Sequence, residues 1–252
     1  MLRPIWIGFL CMPELAVSQV WLHGHNDYQK RPALHRALRW SIPSVEADIY
    51  LHEGRLVVSH LPIFLKRKPT LESLYLQPLT QLFGAHPASS RMPWLRLMID
   101  IKSEPQATVD SLRSLLRRFP ALTAHQGQSI TIFLSGKARR THLLPGDSLF
   151  WGLDDPIPAL FNGRLIPDRW TRQASMSYRE FKRLFLKPYS PSQRDSIVRT
   201  LTTWFAARKI PLRLYGAGNR PRHWNRLVRW GFTVINVDRY KRASRWCQNM
   251  FL

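Results

Sequence analysis

Short apolar runs rich in branched residues alternate along this chain with longer stretches whose apolar positions recur every three or four residues. The runs at 19–23 (QVWLH), 44–51 (SVEADIYL), 54–60 (GRLVVSH), 95–102 (LRLMIDIK) and 129–136 (SITIFLSG) predict strands. The turn HEG joins the second run to the third. Weaker strand patterns follow at 149–153 and 163–167, and clear ones at 210–216 and 232–238. Helical spacing appears at 31–40, with Ala33, Leu34, Ala37 and Leu38 on one face. It recurs at 70–83, where Thr70 suits an N-cap, and at 104–119, with Pro105 in the first turn. Further helices are expected at 177–186, 192–209 and 220–231, the last closed by Gly231.

About eight strand–helix units with no obvious linker predict one α/β domain, a (β/α)8 TIM barrel. A doubly wound sheet is the alternative, and the absence of G-x-G-x-x-G after the first strand weighs against it. The 252 residues suffice for a full hydrophobic core, and 44% apolar content with 10 Trp, 12 Phe and 7 Tyr is globular composition. No internal repeat or low-complexity block interrupts the pattern.

Charge changes the picture. The formal net charge is +22, and Arg outnumbers Lys about three to one. Such a field attracts polyanions and anionic lipid surfaces. The basic residues are scattered rather than gathered in one tract, which also fits simple solvation of helix faces. No helix-turn-helix, RNP or zinc-finger pattern accompanies them, so specific nucleic-acid binding would rest on charge alone. The two cysteines, Cys11 and Cys247, have no zinc-ligand spacing. At the N-terminus one Arg precedes an apolar segment, 5–12, and Ala16-Val17-Ser18 matches a small-x-small cleavage site. Residues 1–18 are therefore expected to be a signal peptide, giving a secreted or periplasmic domain over 19–252 that keeps only Cys247. A first helix is the alternative for that segment.

The candidate chemistry lies at the expected strand ends. Glu46 and Asp48 in VEAD share one face of a strand, because residues i and i+2 point the same way. Side-by-side carboxylates repel unless a cation lies between them, and oxygen ligands suit Mg2+ or Ca2+. An exposed acidic pair is the plainer alternative. Asp100 and Lys102 in MIDIK repeat the spacing, and a third acidic ligand beside a phosphate-binding lysine would account for both charges. His23 ends the first strand and His60 ends LVVSH. Imidazoles are the usual acid and base near neutral pH, and in a (β/α)8 barrel the strand C-termini form the active face. Two imidazoles around an oxygen-ligated cation suit phosphodiester cleavage.

At these residues the chain resembles the phospholipase C-like phosphodiesterase superfamily. The motifs are HGHNDY, SVEAD, LVVSH, TLESLYLQPL, IDIK and, late, GFTVINVD. The group includes glycerophosphodiester phosphodiesterases, phosphatidylinositol-specific phospholipase C and sphingomyelinase D-type toxins. The nearest branch is the one named after altered inheritance of mitochondria, with its HSHNDY motif. The resemblance runs from His23 to about Asp238 and is weakest between about 137 and 210. It implies a barrel phosphodiesterase with His23 and His60 as catalytic histidines and Glu46, Asp48 and Asp100 as ligands of a divalent cation, Mg2+ first and Ca2+ second. Lys102 and Asn26 bind the substrate phosphate on this view. The expected substrate is a glycerophosphodiester, a phospholipid or a related small phosphodiester, with an anionic membrane surface as a further partner. The P-E-N-T that follows the first motif in glycerophosphodiester enzymes is missing, and His23-x-x-Asn26 is closer to the sphingomyelinase D-type motif, which puts a plain glycerophosphodiester substrate in doubt. His25 and Asp27 have no assigned role: they either hold the loop or act directly in the site. Trp224 is expected to pack helix on barrel, and Tyr215, Asn219, Asn236 and Asp238 to line the pocket or serve structure. The rival functional reading is a non-catalytic barrel that binds anionic lipid or polyanions.

Overall fold

The computed structural model of the chain describes residues 20–84, 95–124 and 130–251. The signal segment expected over 1–18, with Cys11, lies outside them. Eight parallel strands close into a barrel: β1 (Trp21–Gly24), β2 (Ser44–His52), β4 (Leu95–Ile101), β5 (Ile130–Gly136), β6 (Gly152–Pro156), β7 (Thr171–Ser177), β8 (Leu212–Tyr215) and β9 (Val234–Val237). Pairing of β1 with both β9 and β2 completes the circle. The TIM-barrel expectation is met.

Alternation along each strand sets what faces where. On β2, Val45, Ala47 and Ile49 are fully buried under the helices, while Ser44, Glu46 and Asp48 face the barrel axis. On β4, Leu95, Leu97, Ile99 and Ile101 pack outward, and Arg96, Met98 and Asp100 point inward. Barrels of this kind usually fill their interior with branched apolar side chains. Here much of the filling is ionic, and each buried charge needs a partner. Arg96 lies near the floor between the rings of Trp21 and Phe133, 4.6 and 4.7 Å from their centres. It donates to Gln173 Oε1 and to the Arg172 carbonyl. Burial still lowers its pKa to about 10.

The third predicted strand is not a stave of the barrel. β3 (Arg55–Val58) runs antiparallel to β2, turning at Glu53 and Gly54, both with positive φ, as a two-residue hairpin requires. The hairpin carries the chain past the barrel rim and back. His60 therefore does not end a barrel strand. It lies just after the returning arm, where Ser59 N donates to the Asp48 carbonyl.

Two further expectations are corrected. Residues 163–167 form no strand, and the fifth stave, β6, runs over Gly152–Pro156 rather than 149–153. The sixth stave, β7, carries Gln173 and Ser175 inward and only Ala174 and Met176 buried on its outer side. Its apolar alternation is too sparse to read as a strand.

Among the helices, α3 (Pro105–Leu116) begins at Pro105 as expected, with the Glu104 carboxylate accepting from Gln106 N and Ala107 N. The expected Thr70 cap is present, since Ser73 N donates to Thr70 Oγ1. That helix opens as a π-turn (Glu72–Leu76) before continuing as α2 (Gln77–Gly84). The short α1 (His35–Arg39) buries Ala37. α7 (Pro191–Ala206) and α8 (Pro221–Arg229) cover the wall toward β8 and β9. Trp224 is fully buried against Trp246 of α9 (Tyr240–Phe251), which is the helix packing expected of it.

Candidate active site

Every residue singled out for chemistry meets at one end of the barrel. His23 leaves β1 inward, with Nδ1 2.8 Å from Ser44 Oγ and Nε2 3.1 Å from Glu46 Oε2. Asp48 Oδ2 accepts from the Tyr28 hydroxyl at 2.9 Å and lies 3.1 Å from His60 Nδ1. Lys102 Nζ is 2.7 Å from Asp100 Oδ2 and 3.5 Å from Asp48 Oδ2. Glu46, Asp48 and Asp100 each place a carboxylate oxygen within 4.8 Å of the others.

The two histidines are not equivalent. The His23 side chain is fully enclosed, whereas that of His60 is 54% exposed. Burial, reinforced by Arg213, lowers the His23 pKa to about 3, so its ring is neutral throughout the neutral range. Burial by itself would raise Glu46, but Arg213 and His23 outweigh it and hold the carboxyl low. An ionised Glu46 accepts from Nε2–H, which leaves Nδ1 to accept from the Ser44 hydroxyl. Asp48 goes the other way: burial and then the neighbouring Glu46 raise it to about 6.

The loop motif is built as much for shape as for chemistry. Asn26 sits at φ 50, a left-handed conformation that Asn tolerates better than most side chains. Its Oδ1 accepts from the Tyr28 hydroxyl at 3.0 Å, so the motif's tyrosine stands between Asn26 and Asp48. Asp27 is fully buried and accepts from Leu34 N, the Tyr75 hydroxyl and the Tyr240 hydroxyl. It anchors the loop to the body, one of the two roles left open for it. His25 is the outer residue, half-exposed and 3.5 Å from Asp238 at the end of β9. Of the late polar residues, Asn236 accepts from Arg213, Asn219 donates to Asp238, and Tyr215 stays exposed at the rim.

Arg213 is absent from the sequence-based set, yet it crosses the barrel. Its Nη2 donates to Glu46 Oε2 at 2.9 Å, Nε to Asn236 Oδ1 at 2.7 Å, and Nη1 lies 3.4 Å from Met98 Sδ. A lone Arg in LRLY gives no motif to find. Gly136, at the end of β5, is the second residue missed. Its φ is +71, and a Cβ there would collide with Asp100 Oδ1 and the Ile101 carbonyl.

These details fit a divalent cation. Cationic side chains compensate Glu46 Oε2, Asp48 Oδ2 and Asp100 Oδ2, while Asp48 Oδ1 and Asp100 Oδ1 are buried and have no hydrogen-bond partner. Buried carboxylate oxygens without partners are costly, and a hard cation is the ligand they suit. Gly136 keeps the space beside Asp100 Oδ1 clear.

Residues 14–93 match the AIM6-like phosphodiesterase domain. Altered inheritance of mitochondria protein 6 of Eremothecium gossypii is 40% identical over 63 residues, 24% of this chain and 16% of that protein. The same protein of Lachancea thermotolerans is 46% identical over 66 residues, 25% of this chain and 15% of its own length. The matched stretch thus spans about a sixth of those relatives. Among solved structures, a glycerophosphodiester phosphodiesterase from Parabacteroides distasonis superposes with a TM-score of 0.57 at 13% identity, over 93% of this chain and all of that one. A calcium-dependent phosphoinositol-specific phospholipase C from a Pseudomonas species gives 0.57 at 13% identity, over 89% and 90%. An Oleispira antarctica phosphodiesterase in complex with sn-glycerol-3-phosphate gives 0.55 at 14% identity, over 90% and 96%. At these identities the solved structures establish the shared barrel. The AIM6-like match covers the stretch that carries His23, Glu46, Asp48 and His60.

Proposed function

We propose that this chain is a metal-assisted phosphoric diester hydrolase acting on a glycerophosphodiester, a phospholipid or a related small phosphodiester. The observation that carries the proposal is the trio Glu46, Asp48 and Asp100, gathered within 4.8 Å with two orphaned oxygens and flanked by His23 and His60. A divalent cation, Mg2+ before Ca2+, would be held by these three carboxylates and would supply Lewis-acid stabilisation of the phosphoryl oxygens. Lys102 lies at the same rim and adds a positive charge for a phosphate oxygen.

The histidines divide the proton work by position. Asp48 accepts from His60 Nδ1–H, which orients the ring and leaves Nε2 for the substrate. His60 is open to solvent and suits protonation of the departing oxygen. His23 is neutral and enclosed, so it carries the unprotonated nitrogen that a base requires. Taking the nucleophile's proton at Nε2 requires the ring proton first to move to Nδ1, with Ser44 Oγ turning acceptor, and Glu46 to release its contact. The P–O bond to the leaving group breaks as the new P–O bond forms, and the leaving oxygen receives the proton from His60. The attacking hydroxyl is that of water or of the substrate itself, the latter giving a cyclic phosphate. An exported protein, with the segment 1–18 as its signal, is the setting we propose.

A second reading, a non-catalytic barrel that binds anionic ligands, draws support from the full enclosure of His23 and the pairing of Arg213 with Glu46. Hydrolysis of bis(p-nitrophenyl) phosphate and a phospholipid panel, with EDTA and then added Mg2+ or Ca2+, separates the two. Turnover that EDTA stops and metal restores is the expected result. Failure to hydrolyse any diester with either metal, despite measurable metal binding, would favour the binder.

A further inference from the structure

The segment from Ser59 to Pro69 leaves β3 beside His60 and forms an exposed loop. It presents Leu61, Ile63 and Phe64 to solvent, 52, 51 and 74% exposed. Phe64 has φ 52, an unfavourable backbone for a bulky residue, and is held by a turn in which Arg67 N donates to its carbonyl. Lys66, Arg67 and Lys68 follow at once, and Arg55 stands on the neighbouring strand. All of these except Phe64 border a groove of about 1260 Å³ whose far wall is the first βα loop with Arg31. Among the described residues no Asp or Glu lines the groove; Glu53 meets Lys66 from outside it, at 2.8 Å. His60 lines the same groove, so it opens onto the candidate active site.

Three large apolar side chains at one loop tip, rimmed by cations, are not an ordinary solvated surface. Water disfavours the first group, and among the described residues only Lys66 of the second has a carboxylate partner, Glu53. We propose that this loop docks the protein on an anionic lipid surface. Leu61, Ile63 and Phe64 enter the boundary between headgroups and acyl chains, and Arg55, Arg67 and Lys68 meet the phosphates. Docking brings headgroup diesters to the mouth that His60 borders. The choice of lipid rather than an acidic protein rests on the phosphodiesterase reading; the exposed loop and its charge do not.

The test is cosedimentation with phosphatidylcholine vesicles, with and without about one-third phosphatidylserine, at about 0.15 M salt. The wild type is expected to bind the anionic vesicles at least roughly tenfold more tightly than the neutral ones. The variant Leu61→Ser/Ile63→Ser/Phe64→Ser keeps every charge and is expected to lose roughly tenfold or more of that binding, as is Arg67→Glu/Lys68→Glu. Arg199→Glu, exposed on α7 across the barrel from β2, is expected to leave it unchanged. Soluble bis(p-nitrophenyl) phosphate should be hydrolysed equally by all four proteins. Vesicle binding by the apolar triple variant equal to wild type would overturn the proposal, because overall charge would then suffice. Absence of wild-type binding would overturn it as well, as would capture by an acidic protein partner in place of vesicles. Vesicle binding without soluble turnover would instead overturn the catalytic reading alone.

Discussion

Arg213 Nη2 donates to Glu46 Oε2 across 2.9 Å, tying β8 to β2 through the centre of the barrel over 167 positions of sequence. The same carboxylate oxygen is 3.1 Å from His23 Nε2. A single buried oxygen thus connects the ionic filling of the barrel to the candidate chemistry. The Glu46 charge is tolerated because the guanidinium is there.

Arg213→Met should therefore cost about 3–5 kcal/mol, since it strands a buried carboxylate. Adding Glu46→Gln should restore part of the loss. Urea denaturation of both variants in the absence of metal provides the comparison. A single variant as stable as wild type would show that Glu46 has another counter-charge.

The histidines should separate in stability as well as activity. His60→Ala removes a half-exposed ring and should lower turnover about 10²–10⁴-fold with the melting temperature unchanged. His23→Ala leaves Ser44 and Glu46 without their partner inside the barrel and should cost about 1–3 kcal/mol as well as activity. Parallel melting curves and diester assays decide this. Retained activity in either variant removes the role assigned to that histidine.

Gly136→Ala should damage the cation site without altering any ionisable residue, because the new methyl group meets Asp100 Oδ1. In the wild type, metal at a hundred times its dissociation constant should add about 2.7 kcal/mol of stability. That gain, read as a shift in melting temperature on adding Mg2+ or Ca2+, should vanish in the variant. An undiminished shift would place the cation elsewhere.

Asp154 offers a pH test away from the carboxylate trio. Burial raises its pKa from the ordinary 3.8 to about 6, against the opposing pull of Arg213 and the Ser175 hydroxyl. The folded state then binds its proton more tightly than the unfolded chain does. Its favourable contribution is complete below about pH 4 and is lost as pH rises through about 6. Asp154→Asn keeps an acceptor for Ser175 and removes the charge. Relative to wild type the variant should gain stability as pH rises from 4 to 7, on the order of 2 kcal/mol. Parallel unfolding curves across this range would overturn the assignment.

Much of the architecture was legible because it depends on local alternation. On β2 and β4 every second side chain is apolar, and these pack under helices, leaving Glu46, Asp48 and Asp100 on the other face. That spacing was enough to place three carboxylates and Lys102 together. β7 stayed hidden because its inward side is Gln173 and Ser175, polar positions that are stable only opposite Arg96 and Asp154. His60 was legible as a residue but not as a placement. It reaches Asp48 through the return of an antiparallel hairpin rather than from the end of a barrel strand.

The sequence by itself determined the barrel and pointed to His23, Asn26, Glu46, Asp48, His60, Asp100 and Lys102 as candidates at one end of it, since periodicity and short motifs are local properties of the chain. Tertiary structure alone decided that His23 is enclosed and His60 open, that Arg213 compensates Glu46, and that Gly136 keeps space beside Asp100. Burial and charge compensation arise between strands far apart in sequence, and no single segment encodes which partner will stand opposite it.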